Sequence, residues 1–222
     1  MAGPTLVPRR FDGTQERTEQ LVKRIRAVMG VRNEVAVRLF ETPATDSHTG
    51  PYGVENRRAV GRYRTLGGQP EIALDISQAA KPETFAAIVA HELAHVRLRY
   101  ENRVQGLSVD EEKLTDLVTV YLGMGVFTAN AAYRFTKSVR GFSVLPLGDL
   151  TERMLTGNSL DPTHHLGYLS VRQFGYALAY YSALRGENAP PWSHHLAPGV
   201  QAVLRQGLAH LANSPRAPRD AP

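Results

Sequence analysis

The segment Ala87-Ile88-Val89-Ala90-His91-Glu92-Leu93-Ala94-His95 sets two histidines four residues apart, with a glutamate directly after the first. On a helix, four residues advance slightly more than one turn. His91 and His95 therefore project from the same face, and two neutral imidazoles there can bind one Zn²⁺. Glu92 stands about a hundred degrees further round the helix. That is near enough to reach a metal-bound water but not to replace a histidine, which is the position of a general base.

The chain has no cysteine, so any metal must be held by His, Asp, Glu or main-chain oxygen. A hydrolytic zinc site needs three protein ligands and one open position. A third histidine further along the same helix is excluded, because Leu98 and Glu101 stand where a glycine and a histidine would be required. The acidic run Asp110-Glu111-Glu112-Lys113-Leu114-Thr115-Asp116 offers the other source, with Glu111 and Glu112 as competing candidates. Acids at a helix start are also favoured by the helix dipole alone, without any metal.

With Glu112-x-x-x-Asp116 following His91-Glu92-x-x-His95, the sequence resembles the gluzincin, thermolysin-like zinc metallopeptidases over roughly residues 71–130. The resemblance implies Glu112 as the third zinc ligand and Asp116 as the carboxylate that supports His91 through its outer ring nitrogen. A carboxylate there would fix the tautomer and raise the basicity of the ring. It also implies a peptide or protein substrate, hydrolysed by a zinc-activated water with Glu92 as base. The strand Glu71-Ile72-Ala73-Leu74-Asp75-Ile76 resembles the edge strand on which such peptidases lay their substrate, with an inner strand of the sheet as the alternative. Members of the family use a later His or Tyr to stabilise the oxyanion; His165 and Tyr168 are the candidates here, with His194 and His195 beside Trp192 as second choice. His48 and His210 are read as structural or exposed. In size and in strand-then-helix order the chain is also similar to small intracellular immunity-type metallopeptidases of bacteria and mobile elements. The rival reading is a zincin-fold regulatory or protein-interaction module that cleaves nothing.

The elements that must position these residues follow from periodicity. Asp12 or Thr14 can cap a helix to Met29 with Leu21, Val22, Ile25 and Val28 as its stripe and Gly30 as its stop. Residues 35–40 read as a strand, 42–56 as turn chemistry forming either a lid or a surface loop, and 59–65 with 71–76 as a strand pair. Pro82 opens the helix that carries His91 and His95 to about Arg99. Ser108 or Asp110 caps the next, weakened at Gly123 and Gly125. Further helices span 170–185 and 198–211, and residues 139–158 are ambiguous. Arg172, Phe174, Tyr176, Tyr180 and Tyr181 read as core and helix surface.

The fold class expected is α+β: a small, mainly antiparallel sheet packed on a zincin-type active-site helix and a largely helical C-terminal half. The organisation is a single domain over 1–213, with helix and sheet in 1–80, the zinc-binding helices in 81–130, a helical part in 131–213 and a disordered tail at 214–222. At 222 residues, 42% hydrophobic and 21% charged, the composition is that of an ordinary globular protein. The start of the chain lacks an apolar run of signal-peptide length and no stretch is long enough to span a bilayer, so cytoplasmic residence without membrane attachment is expected. The formal charge of +5 comes from scattered arginines with no accompanying nucleic-acid motif, which favours a solvated surface over a nucleic-acid face.

Overall fold

The computed structural model describes residues 1–41, 48–50, 53–55, 60–104, 111–139 and 169–213. Helix α1 (Gln15–Met29) starts after Thr14 and ends at Gly30, burying Leu21, Val22, Ile25 and Met29 while Val28 stays exposed. Strand β1 (Ala36–Phe40) follows. Inside the stretch read from sequence as turns alone lie two short antiparallel strands, β2 (His48–Gly50) and β3 (Gly53–Glu55), so that reading is corrected for those six residues.

Strands β4 (Gly61–Leu66) and β5 (Gln69–Asp75) pair antiparallel through a two-residue turn. Gly67 and Gly68 both have positive φ, 57° and 78°, the turn geometry whose twist matches the flanking strands and which side-chain-bearing residues rarely adopt. β1 pairs with β5 in parallel, giving the order β1-β5-β4. The sheet is therefore mixed, not mainly antiparallel as expected. β5 is its centre, with Ile72, Ala73 and Leu74 fully buried. The expectation that β5 is an edge strand gives way to the inner-strand alternative; the edge nearest the histidines is β4.

A 3-10 segment (Ile76–Ala80) leads into helix α2 (Pro82–His95). This helix is apolar almost all round, with Phe85, Ala86, Val89, Ala90, Leu93 and Ala94 at 3% exposure or less, as suits a helix enclosed by other elements. It packs against α1 and the sheet as well as the helices that follow. After His95 the backbone widens into one turn of π-helix (Val96–Tyr100), closed by the Glu101 N–H on the Val96 carbonyl at 3.2 Å. Such turns recur beside functional sites.

Helix α3 (Glu111–Tyr121) and helix α4 (Gly125–Val139) come next, then α5 (Val171–Leu184) and α6 (Pro198–Asn213), with a 3-10 turn (Pro191–His195) between the last two. Ser170 and Gln173 form a reciprocal capping box at the start of α5. α4 joins two cores: Phe127 and Ala131 belong with α1, α2 and the sheet, whereas Val126, Ala129 and Ala132 belong with Phe174, Leu178, Trp192, Val200 and Leu204. Between α3, α5 and α6 lies a groove of about 1050 Å³. Five large apolar residues line it while well exposed, Leu117, Tyr121, Tyr176, Tyr180 and Leu184. Among the described residues no helix is long and apolar enough to cross a membrane.

Candidate metal centre

α2 and α3 pack directly against each other, and this contact assembles the site. His91 Nε2 lies 3.1 Å from Glu112 Oε2, and His95 Nε2 lies 3.4 Å from the same oxygen. One ligand atom from each of the three residues falls within 4.8 Å of the others, so His91, His95 and Glu112 form a group that can hold a metal ion. Two imidazole nitrogens and one carboxylate oxygen are a donor set that zinc accepts with a further position left over.

Behind His91, its Nδ1 meets Asp116 Oδ1 at 2.9 Å. Asp116 is 1% exposed, and its other oxygen accepts the Leu169 N–H at 2.9 Å. Both carboxylate oxygens are thus engaged, one on the ring and one on the chain just before α5. With Nδ1 donating to Asp116, the Nε2 lone pair is turned to the place where a metal would sit. In the metal-free state burial opposes a charge on His91, yet hydrogen bonds to Asp116 and Glu112 prevail and raise its pKa to about 10. Burial works against the charge on Glu112 as well, but hydrogen bonds from His91 and His95 prevail and hold its carboxyl well below the usual carboxylate range.

Glu111, the competing ligand in the sequence, faces elsewhere. Its carboxylate takes both Arg99 Nε and Arg99 Nη2, the latter at 2.7 Å, and its nearest approach to His95 is 3.9 Å, on the Nδ1 side of the ring. Glu112 is the one that joins the histidines.

Glu92 is buried at 6% exposure, and burial pushes its carboxyl up against the opposing pull of His91 and His95. β4 creates its niche. A Cβ on Gly61 would stand 2.5 Å from Glu92 Oε1 and 2.8 Å from Ile88 Cγ2, so only glycine leaves the carboxylate where it is. Val60 O accepts the Asp75 N–H at 3.0 Å. By the alternation of an antiparallel ladder, Gly61, Tyr63 and Thr65 then turn their main-chain groups away from β5, towards the edge that no other described strand pairs with. The Tyr63 main chain hydrogen-bonds Glu92, and its ring stacks on His95 with centroids 6.1 Å apart. Sequence reasoning gave no role to Gly61 or Tyr63; their signal exists only once β4 is laid beside α2.

His165 and Tyr168 lie outside the described residues. His194 Nδ1 is bonded to the Pro191 carbonyl, and the His195 ring packs at Gly3 while its carbonyl accepts from Asn130. His210 packs on Tyr176 at 6.0 Å. The side chain of His48 is not among those described. No protein-family model, curated protein or solved structure gives a significant match to this chain.

Proposed function

We propose that this protein is a zinc-dependent metallopeptidase. The observation that carries the reading is the convergence of His91, His95 and Glu112 within 4.8 Å, with the buried carboxylate of Glu92 beside them and Asp116 behind His91. Other divalent metals accept the same donors, but an adjacent buried carboxylate that ligates nothing suits hydrolysis. Zinc, when bound, would supply Lewis-acid polarisation of the scissile carbonyl and acidification of the attacking water.

The chain's own residues do the rest. His91, His95 and Glu112 hold the metal, and Asp116 fixes the His91 ring. Glu92 accepts the proton from the attacking water on its carboxylate and passes it to the leaving amine. The outer edge of β4, unpaired among the described strands and with the main-chain groups of Gly61 and Thr65 turned outward, accepts an extended peptide as an added strand. The deciding experiment compares wild type with Glu92→Gln, both zinc-loaded, on unfolded polypeptide substrates followed by mass spectrometry. The reading requires cleavage by the wild type, with turnover in the variant lower by ~10²–10⁴-fold at unchanged zinc content. Equal cleavage by both proteins would refute it.

A second reading, an interaction module that cleaves nothing, draws support from the exposed apolar groove between α3, α5 and α6. It requires zinc uptake without turnover on any polypeptide, together with partner binding that Glu92→Gln leaves intact.

A further inference from the structure

The two histidines are supported differently. His91 has a short bond to Asp116, whereas the outer nitrogen of His95 faces Thr115 Oγ1 at 3.5 Å and Glu111 Oε1 at 3.9 Å. Thr115 is fully buried, and its hydroxyl donates to the Glu111 main-chain carbonyl at 2.9 Å. A hydroxyl has one hydrogen and two lone pairs. With the hydrogen committed to α3, the oxygen can meet His95 only as an acceptor, so the ring must carry its proton on Nδ1. The Glu111 carboxylate, anchored by two Arg99 N–H groups, adds a negative oxygen on the same side of the ring and is kept from entering the metal group itself.

We propose that Thr115, together with the Arg99–Glu111 pair, is the positioning device of His95. It fixes the Nδ1–H tautomer and leaves Nε2 for the metal. The inference rests on the metal-centre reading above. It gives Glu111 a role opposite to that of a ligand and assigns a task to Arg99, the fourth residue beyond His95.

The test uses full-length protein loaded with Co²⁺ or Zn²⁺. Thr115→Val keeps the shape of the side chain and removes the acceptor, while Thr115→Ser restores it. Expected is one metal per chain in all three proteins, with affinity lower and release to a chelator faster by ~10-fold in Thr115→Val. A changed visible Co²⁺ spectrum in that variant and wild-type behaviour of Thr115→Ser are also expected. A purely structural role would lower the denaturation midpoint without moving the spectrum or the release rate, and that outcome overturns the inference. Glu111→Gln should still hold one metal; loss of stoichiometric binding would make Glu111 a ligand and also overturn it. A readout that needs no variant is the ¹⁵N spectrum of the His95 ring in the zinc-loaded wild type, expected to show protonated Nδ1 and metal-bound Nε2. The reverse pattern contradicts the proposal. Failure of the wild type to take up either metal would remove the metallopeptidase reading and this inference together, whereas normal uptake with unaltered Thr115→Val removes the inference alone.

Discussion

Metal uptake should be in direct competition with a proton on His91. The ring lies between two carboxylates, Asp116 at 2.9 Å and Glu112 at 3.1 Å, and without metal its pKa is raised to about 10 despite the opposing effect of burial. A metal needs Nε2 unprotonated. At pH 7 only about one molecule in a thousand then has the ring neutral, and apparent affinity should climb roughly tenfold per pH unit below that pKa. Between pH 6.5 and 8.5 the gain is ~100-fold. Competition against a chromophoric chelator of known pH dependence measures this directly, and calorimetry in buffers of different ionisation enthalpy counts the released proton. Asp116→Asn should flatten the dependence, because one of the two carboxylates that hold the proton is gone. Chelator-corrected affinity that is flat across that range, with no proton released, would refute the reasoning. The same shift has a stability consequence for metal-free protein. The folded pKa lies above the ordinary histidine value of 6.5, so the stabilisation is complete below 6.5 and is lost as pH rises towards 10. Urea unfolding at pH 6 and pH 9.5 should show the lower midpoint at the higher pH.

Further outcomes follow from particular contacts. Gly61→Ala places a methyl 2.5 Å from Glu92 Oε1 and should destabilise the fold by about 1–3 kcal/mol in chemical denaturation. Its turnover should drop more than its zinc affinity, since the methyl meets the base rather than a ligand. Asp116→Asn should weaken zinc binding at high pH by ~10–100-fold through loss of the carboxylate on His91, read by the same chelator competition. Gly67→Ala and Gly68→Ala should each cost about 1 kcal/mol, because both positions have positive φ, and should leave zinc content unchanged.

Much of the metal group was legible because it is written in helical spacing. A separation of four positions from His91 to His95, and again from Glu112 to Asp116, places each pair on one face wherever the helices go. What spacing along one chain does not contain is contact across elements. The Arg99–Glu111 pair ties the π turn to the start of α3, and the niche for Glu92 depends on a glycine in β4, thirty-one residues upstream. The parallel pairing of β1 with β5 was likewise not legible, since alternation in a five-residue strand is the same for either direction. The start of α4 at Gly125 was not legible for a related reason. Gly123 and Gly125 read as breakers of α3, yet Gly123, at φ 91°, only redirects the chain into a second helix. Because α4 joins two cores, its Phe127 and Ala131 are buried in one and its Val126 and Ala129 in the other, a division that spacing along the chain does not contain.

The most direct measurement is the metal content of purified protein by plasma mass spectrometry, wild type beside His91→Ala and Glu112→Ala, after zinc is supplied and excess removed. About one zinc per chain in the wild type, lost in both variants, is the result that a centre built from His91, His95 and Glu112 requires. A wild type that binds no zinc, or variants that keep it, would contradict that centre and with it the hydrolytic function proposed.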